Sequence, residues 1–265
     1  MRYRDLGEGP LVRDMLEVPD GGYGSLAMRI AVLAIVAAVS AIVVPPAGSR
    51  TGAPLRPLAS VKVLGSGPLV WRQVTVRATP SRTGGEVATL KQFRPDFHPR
   101  TVLALDAKLN TAGKPSWYRI SVPGRPNGRT GWIPAGAAQI AGVDRWLVIY
   151  RGSRKFELYV NGELRRTGPI AVGARGMETP IGLFYVQSRF VPKQYPILGA
   201  YAFETSGYSK LSDWPGGGVV GVHGTNTPWL IGQAVSHGCV RLRNSDILAL
   251  RKVMRVGTPV KVVAA

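Results

Sequence analysis

Residues 236–241 read Ser-His-Gly-Cys-Val-Arg and hold Cys239, the only cysteine in a chain of 265 residues. Two of the three histidines stand near it in sequence. His237 lies two residues before Cys239, and His223 lies sixteen before it, within Gly221-Val222-His223-Gly224-Thr225. Cysteine attacks as its thiolate, and a free thiol with a pKa near ~8.5 is mostly protonated at neutral pH. A neighbouring imidazole can take that proton and leave a strong nucleophile. These residue types point first to Cys/His nucleophilic catalysis. Two blander readings compete. A lone cysteine is often a small buried hydrophobe. A zinc site from His223, His237 and Cys239 would use three good ligand types, but His-x-Cys is a poor ligand pair within one strand, and no second cysteine or carboxylate completes the set. His98, in Phe97-His98-Pro99, is far from the motif in sequence and reads as a loop residue without a chemical role.

The elements around the motif must bring these groups together. If residues 235–242 are extended, alternation puts His237, Cys239 and Arg241 on one face and Val240 and Leu242 on the other. Gly238, without a side chain, lets backbone approach a substrate closely. Residues 219–225 read as a second strand ending near His223, and the loop Asn226–Gln233 leaves room to return the chain to Cys239.

The whole pattern resembles the L,D-transpeptidase catalytic domain of the YkuD type. The residues that carry the resemblance are His223-Gly224, a short loop, and Ser236-His237-Gly238-Cys239-Val240-Arg241. Thr179-Pro180-Ile181-Gly182-Leu183-Phe184 is similar to the family's turn into a strand, Asp246-Ile247-Leu248 to its helix after the cysteine, and Gly257-Thr258-Pro259-Val260 to its closing strand. The resemblance spans roughly Arg145 to Val263. It implies Cys239 as nucleophile and His223 as general base, with His237 and Arg241 lining the site and Gly224 orienting His223 through its carbonyl. Ser236, Gly238 and Arg241 would face the substrate, and the N–H groups of Gly238 and Cys239 are candidates for an oxyanion hole. The implied partner is a peptidoglycan stem peptide, and the implied cofactor and metal set is empty.

Composition bounds the rest. Thirty-three glycines and 21 prolines, with few long helical periods, argue for a strand-rich chain with many turns. One cysteine excludes an internal disulfide framework. Residues 30–44 are uncharged and apolar, follow Arg29, and end at Pro45-Pro46. Fifteen residues are short for a spanning helix and fit a signal-peptide hydrophobic region, with a membrane anchor as the alternative. Residues 1–29 carry four arginines and five acidic residues, unusual for an export signal, so residues 1–27 are hypothesised to be a mis-assigned start; peptides from Leu11–Tyr23 in native cells would refute that. Residues 45–68 read as a flexible linker. Beyond Arg29 stand 30 basic against 10 acidic residues. Such a field favours anionic partners, which outside a cell are wall polymers and anionic lipid heads. Nucleic acid is the rival for a pI near 10.8, but the basic residues are scattered and no nucleic-acid motif is present.

Residues 69–142 form a separate strand-rich unit. Val74-Thr75-Val76-Arg77-Ala78-Thr79-Pro80-Ser81 and Gly131-Trp132-Ile133-Pro134 resemble the start and end of a bacterial SH3-like barrel, with a loop inserted between Phe93 and Lys114. The catalytic unit, 143–265, opens with Trp146–Tyr150 and a hairpin at Asn161-Gly162. Residues 195–218 show no clear period and read as a covering loop, whose Tyr201, Phe203 and Trp214 are candidate walls for a substrate stem. Asn244-Ser245-Asp246 starts a capped helix. The expected fold is mainly β: a β-rich catalytic domain with a covering loop and short helix, plus a small SH3-like barrel. The reaction implied by resemblance is cross-linking by cysteine acyl transfer. The alternatives are an L,D-carboxypeptidase or other cysteine hydrolase of wall peptides, and a non-catalytic wall-binding protein. The expected location is exported, either secreted or membrane-anchored.

Overall fold

The computed structural model describes residues 61–213 and 215–265. The apolar run 30–44, the stretch before it and Trp214 lie outside the described residues. Among the described residues no helix is long and apolar enough to cross a membrane.

The first sheet is antiparallel and six-stranded. Its strands are β1 (Gly65–Pro68), β2 (Gln73–Arg77), β3 (Glu86–Lys91), β4 (Thr101–Leu109), β5 (Pro115–Ser121) and β6 (Thr130–Pro134), in the order β1-β4-β5-β6-β2-β3. Period-two patterning builds its core. Val74 and Val76 point inward from β2, and they join Val102 of β4, Ile120 of β5 and Ile133 of β6 in one core. Two expectations change here. β1 falls within residues assigned to the linker, because pairing with β4 orders Gly65–Pro68 although Gly and Pro there suggest a flexible chain. The expected insertion between Phe93 and Lys114 holds a full strand, β4, paired with β5 over most of its length.

The second sheet has eight strands. β7 (Arg145–Tyr150), β8 (Lys155–Val160) and β9 (Glu163–Pro169) form a meander. The turn between β8 and β9 is Asn161-Gly162, with both residues at positive φ (52° and 80°), as a two-residue hairpin requires. After β10 (Val172–Gly173) come β11 (Gly182–Phe190), β12 (Ala202–Tyr208), β13 (Val219–His223), β14 (Ala234–Ser236), β15 (Val240–Arg241), helix α1 (Asn244–Val253) and β16 (Pro259–Val263). The sheet order is β15-β13-β12-β11-β16-β7-β8-β9, while β10 and β14 form a separate parallel pair. The core gathers Leu147, Ile149, Phe156, Phe203, Val222 and Leu242, and α1 presses Ile247, Leu250 and Met254 against it. The helical spacing of those three residues puts them on one face.

Three local expectations are corrected. Residues 195–218 are not one loop, since β12 runs through them as a central strand between β11 and β13. Its signal was hidden because buried Thr205 and Ser206 are satisfied by hydrogen bonds instead of alternating with apolar residues. Thr205 Oγ1 donates to the Val220 carbonyl at 2.7 Å, and the Tyr185 N–H donates to Ser206 Oγ at 3.2 Å. Residues 235–242 are not one continuous strand. The chain leaves β14, bends through Gly238 at φ +117°, and enters β15, which pairs with a different neighbour. Finally, the Asn244 side chain does not cap α1. It is engaged elsewhere, and the residue preceding the helix makes no side-chain cap.

Candidate active site

The site forms where β13 and β15 lie parallel, with Val222 beside Val240 and His223 beside Arg241. Along β13, Val220 and Val222 are buried in the core. Alternation sends Gly221 and His223 to the opposite face. Cys239, just before β15, reaches that face. The Gly221 N–H donates to Cys239 Sγ at 3.3 Å, and Sγ lies 3.9 Å from the Val219 carbonyl. A methyl group built on Gly221 would stand 3.4 Å from His223 Cδ2 and 3.7 Å from Sγ. The imidazole and the thiol therefore flank one glycine, and a larger residue there would intrude between them. Gly221 was not singled out from sequence, although a glycine inside an alternating strand signals close approach.

His223 is 3% exposed. Its Nδ1 lies 2.6 Å from the Gly224 carbonyl oxygen. A carbonyl only accepts, so Nδ1 carries the proton and Nε2 is left as the basic nitrogen. Asn244 secures this loop: its side-chain oxygen accepts from Ala200 N–H at 3.0 Å and Thr225 N–H at 3.2 Å, and its amide donates to the Thr225 carbonyl at 3.1 Å. Gly224 has no room for a side chain, since a methyl there would meet Asn244 Oδ1 at 2.2 Å. Sequence reading assigned Asn244 to the helix start and so missed its place behind the histidine.

The bend at residues 236–239 is held by its own serine. Ser236 Oγ donates to the Cys239 carbonyl at 2.6 Å and accepts from the Gly238 N–H at 3.2 Å. Ser236 is 1% exposed, so it shapes the cysteine loop and is closed to substrate, against expectation. The same bond engages the Gly238 N–H, which removes it from the oxyanion candidates and leaves that of Cys239. Gly238 itself is buried, and a methyl on it would come within 2.7 Å of Ser209 Cβ. His237 is half-buried in the bend, outside any strand, so the strand alternation that grouped it with Cys239 does not apply to it.

Burial pushes the Cys239 thiol up, opposed by the Gly221 N–H and the positive charge of Arg241. Burial pulls His223 down to about 4, helped by Arg241 and opposed by the Gly224 and Leu198 carbonyls. The resting pair is thus uncharged, a thiol beside a neutral imidazole. The Arg241 main chain is pinned to Ala171 by two bonds of 2.8 and 2.9 Å, while its buried Nε has no partner among the described residues. Arg241 does not pair with Asp246 on the following helix. Asp246 instead takes Arg166, whose Nε and Nη2 donate to one carboxylate oxygen at 2.9 and 2.6 Å.

Two expected substrate walls are corrected as well. Tyr201 and Phe203 are 4% and 0% exposed and pack edge-to-face in the core, with ring centroids 5.3 Å apart. The Arg251 guanidinium sits 4.8 Å from the Tyr201 ring centre. Phe203 is buried because β12 is a central strand, and Tyr201, just before β12, is held there by the Gly224 N–H, which donates to its carbonyl at 3.0 Å.

Comparison with known proteins adds family context. Residues 144–262 match the family model of the YkuD L,D-transpeptidase catalytic domain. The YkuD protein of Bacillus subtilis (strain 168), which carries the L,D-transpeptidase name, is 31% identical over 175 residues, spanning 66% of this chain and 93% of that one. L,D-transpeptidase 1 of Mycobacterium tuberculosis is 31% identical over 120 residues, 41% of this chain and 46% of that one. An L,D-transpeptidase structure from Mycobacterium tuberculosis H37Rv aligns with a TM-score of 0.43 at 17% identity, covering 76% of this chain and 96% of that one. With nearly the full length of the Bacillus subtilis protein matched at that identity, the chain belongs to the YkuD family of L,D-transpeptidases.

Proposed function

We propose that the protein is a peptidoglycan L,D-transpeptidase that works by cysteine acyl transfer on the exported side of the cell. The observation that carries this reading is that Cys239 Sγ and the His223 ring flank the same glycine, Gly221, with the His223 Nδ1 proton held on the Gly224 carbonyl. Because the pair rests uncharged, the thiol proton passes to His223 Nε2 as sulfur attacks. The S–C bond forms at the carbonyl of the diamino-acid residue of a tetrapeptide stem, and the C–N bond to the terminal D-alanine breaks. The departing amine takes the proton from His223. An amine of a second stem then attacks the thioester and gives its proton to His223, and the thiol is restored as the C–S bond breaks. The Cys239 N–H is the donor for the transient oxyanion, and the positive charge of Arg241 favours the thiolate as it forms.

The excess of basic residues beyond Arg29 supports retention near anionic wall polymers. We read the 69–142 stretch, folded in the first sheet, as an SH3-like module, and residues 30–44 as the export signal or anchor. The test is intact-mass analysis after incubation with a purified tetrapeptide stem, with and without an added amine. An acyl adduct on Cys239 that resolves into a cross-linked product only when amine is present is the expected result, and Cys239→Ala should form none. Release of free tripeptide at the same rate without amine would make the enzyme a carboxypeptidase. No adduct at all would overturn the mechanism.

A further inference from the structure

The connection between β12 and β13 forms a wall of the cysteine site, and residues from the other sheet hold it. Ser209 packs on Gly238, the neighbour of Cys239, so closely that a methyl on Gly238 would come within 2.7 Å of Ser209 Cβ. At the other end of this connection, Val219 points its carbonyl toward Sγ at 3.9 Å. The Ser209 N–H donates to the Gly218 carbonyl at 2.8 Å and closes the turn at its base.

Arg125 and Asn127 lie between β5 and β6 of the first sheet. The Arg125 guanidinium donates to three main-chain carbonyls of this one connection: Ser209 at 2.7 Å, Leu211 at 2.7 Å and Gly217 at 2.9 Å. It also lies 5.0 Å from the centre of the Tyr208 ring. Asn127 engages the Tyr208 main chain in both senses. Its Nδ2 donates to the Tyr208 carbonyl at 2.7 Å, and its Oδ1 accepts from the Tyr208 N–H at 2.9 Å. The side-chain amide thus satisfies the main chain at the end of β12 as a paired strand would. A cleft of about 870 Å³ opens beside this contact, with Arg125, Pro126 and Asn127 on one side and Glu178, Tyr208 and Ser209 on the other. A second cross-sheet contact sets the adjoining strands: Arg94 donates to Glu204 at 2.6 Å and Gln187 at 3.1 Å. Glu204 stands opposite Gly221, the residue whose N–H holds the sulfur.

We propose that Arg125 and Asn127 are positioning residues of the cysteine site, latching the β12–β13 connection so that Ser209 closes one side of the Gly238-Cys239 bend. The first sheet then belongs to the catalytic machinery, beyond any part in binding the wall. This rests on the reading of Cys239 as nucleophile. The geometry favours a planar fork over a point charge, because one guanidinium serves three carbonyls that a lysine could not all reach. Both residues are surface-exposed, so replacing them opens no core cavity.

The latch predicts opposite changes in two readouts. When it is released, water reaches the thiol, the thiolate forms more readily, and alkylation at neutral pH speeds up. Acyl transfer slows, because the wall that excludes water and aligns the stem is lost. The experiment uses the full chain with Arg125→Ala, Arg125→Lys, Asn127→Ala and Asn127→Asp. Cys239 alkylation by iodoacetamide is followed by intact mass across pH, alongside stem acylation and melting temperature. Arg125→Ala and Asn127→Ala should alkylate roughly three- to tenfold faster at neutral pH and acylate at least about tenfold more slowly. Arg125→Lys should behave more like Ala than like the parent. Asn127→Asp, which keeps the acceptor but not the donor, should fall between parent and Ala. A lowered melting temperature with alkylation and acylation both unchanged would reduce these contacts to sheet docking and overturn the proposal. If the parent itself forms no acyl adduct while the alkylation shift appears, the latch stands and the transpeptidase reading fails.

Discussion

His223 should make this protein unusually sensitive to mild acid, and the size of the effect follows from its burial. The imidazole is 3% exposed and titrates at about 4 in the folded chain, against an ordinary value of 6.5. The unfolded chain therefore binds a proton on this residue as pH falls below about 6.5, while the folded chain refuses it until about 4. In that window the unfolded state binds more protons, so stability is fully present above the unfolded value and is lost as pH falls toward the folded one. Each tenfold in proton affinity is worth about 1.4 kcal/mol. His223 alone should thus withdraw about 3 kcal/mol between pH 7 and pH 4, of the same order as a large share of a domain's total stability. The perturbation that isolates it is His223→Asn, whose amide nitrogen can still donate to the Gly224 carbonyl but does not titrate. Urea unfolding of parent and variant is followed at several pH values. The variant is expected to be less stable at pH 7, and the gap should close by about 3 kcal/mol on acidification. The carboxylates, shared by parent and variant, cancel in the difference. The same imidazole should place the acidic limb of kcat/KM near pH 4 instead of between 6 and 7. Parallel loss of stability in parent and variant from pH 7 to pH 4, with an acidic limb near 6.5, would refute the buried neutral base.

Other consequences follow from the same geometry. Gly238→Ala forces a side chain into positive φ and against Ser209 Cβ, so it should lose about 1–3 kcal/mol in chemical denaturation and most of its acylation rate; parental activity would show that the bend can relax without harm. Arg241→Gln removes the charge that lowers the Cys239 pKa, so the alkylation midpoint should move up and the neutral-pH rate fall by roughly threefold. An unchanged midpoint would restrict Arg241 to substrate contact or structure. Asn244→Ala breaks three bonds to Ala200 and Thr225, which should cost about 1–2 kcal/mol. It should also move the acidic limb of the rate profile toward the ordinary imidazole value as the His223 loop loosens; a fall in melting temperature with no move in that limb would make Asn244 a fold residue only.

What was legible in the sequence was local or patterned. The Ser236–Arg241 motif with His223-Gly224, the strand ending at His223, the Asn161-Gly162 hairpin and the helix beginning near Asn244 all depend on residue type and short-range spacing, and the family match spans them. Other features were decided by partners distant in sequence. Phe203 became core because β11 and β13 enclose β12, a strand whose buried hydroxyls erase the apolar alternation, and Tyr201, just before that strand, packs against it. Ser236 turned inward because a bend at Gly238 brought the Cys239 carbonyl to its hydroxyl. Asp246 went to Arg166 because α1 packs near β9, where a bidentate guanidinium can reach it. The Asn244 side chain turned away from capping its helix because the loops at Ala200 and Thr225 converge on it. Hydrogen-bonding groups take whichever partners the fold brings within reach when burial removes water. A chain read one residue at a time names those groups, and only tertiary packing selects which of them meet.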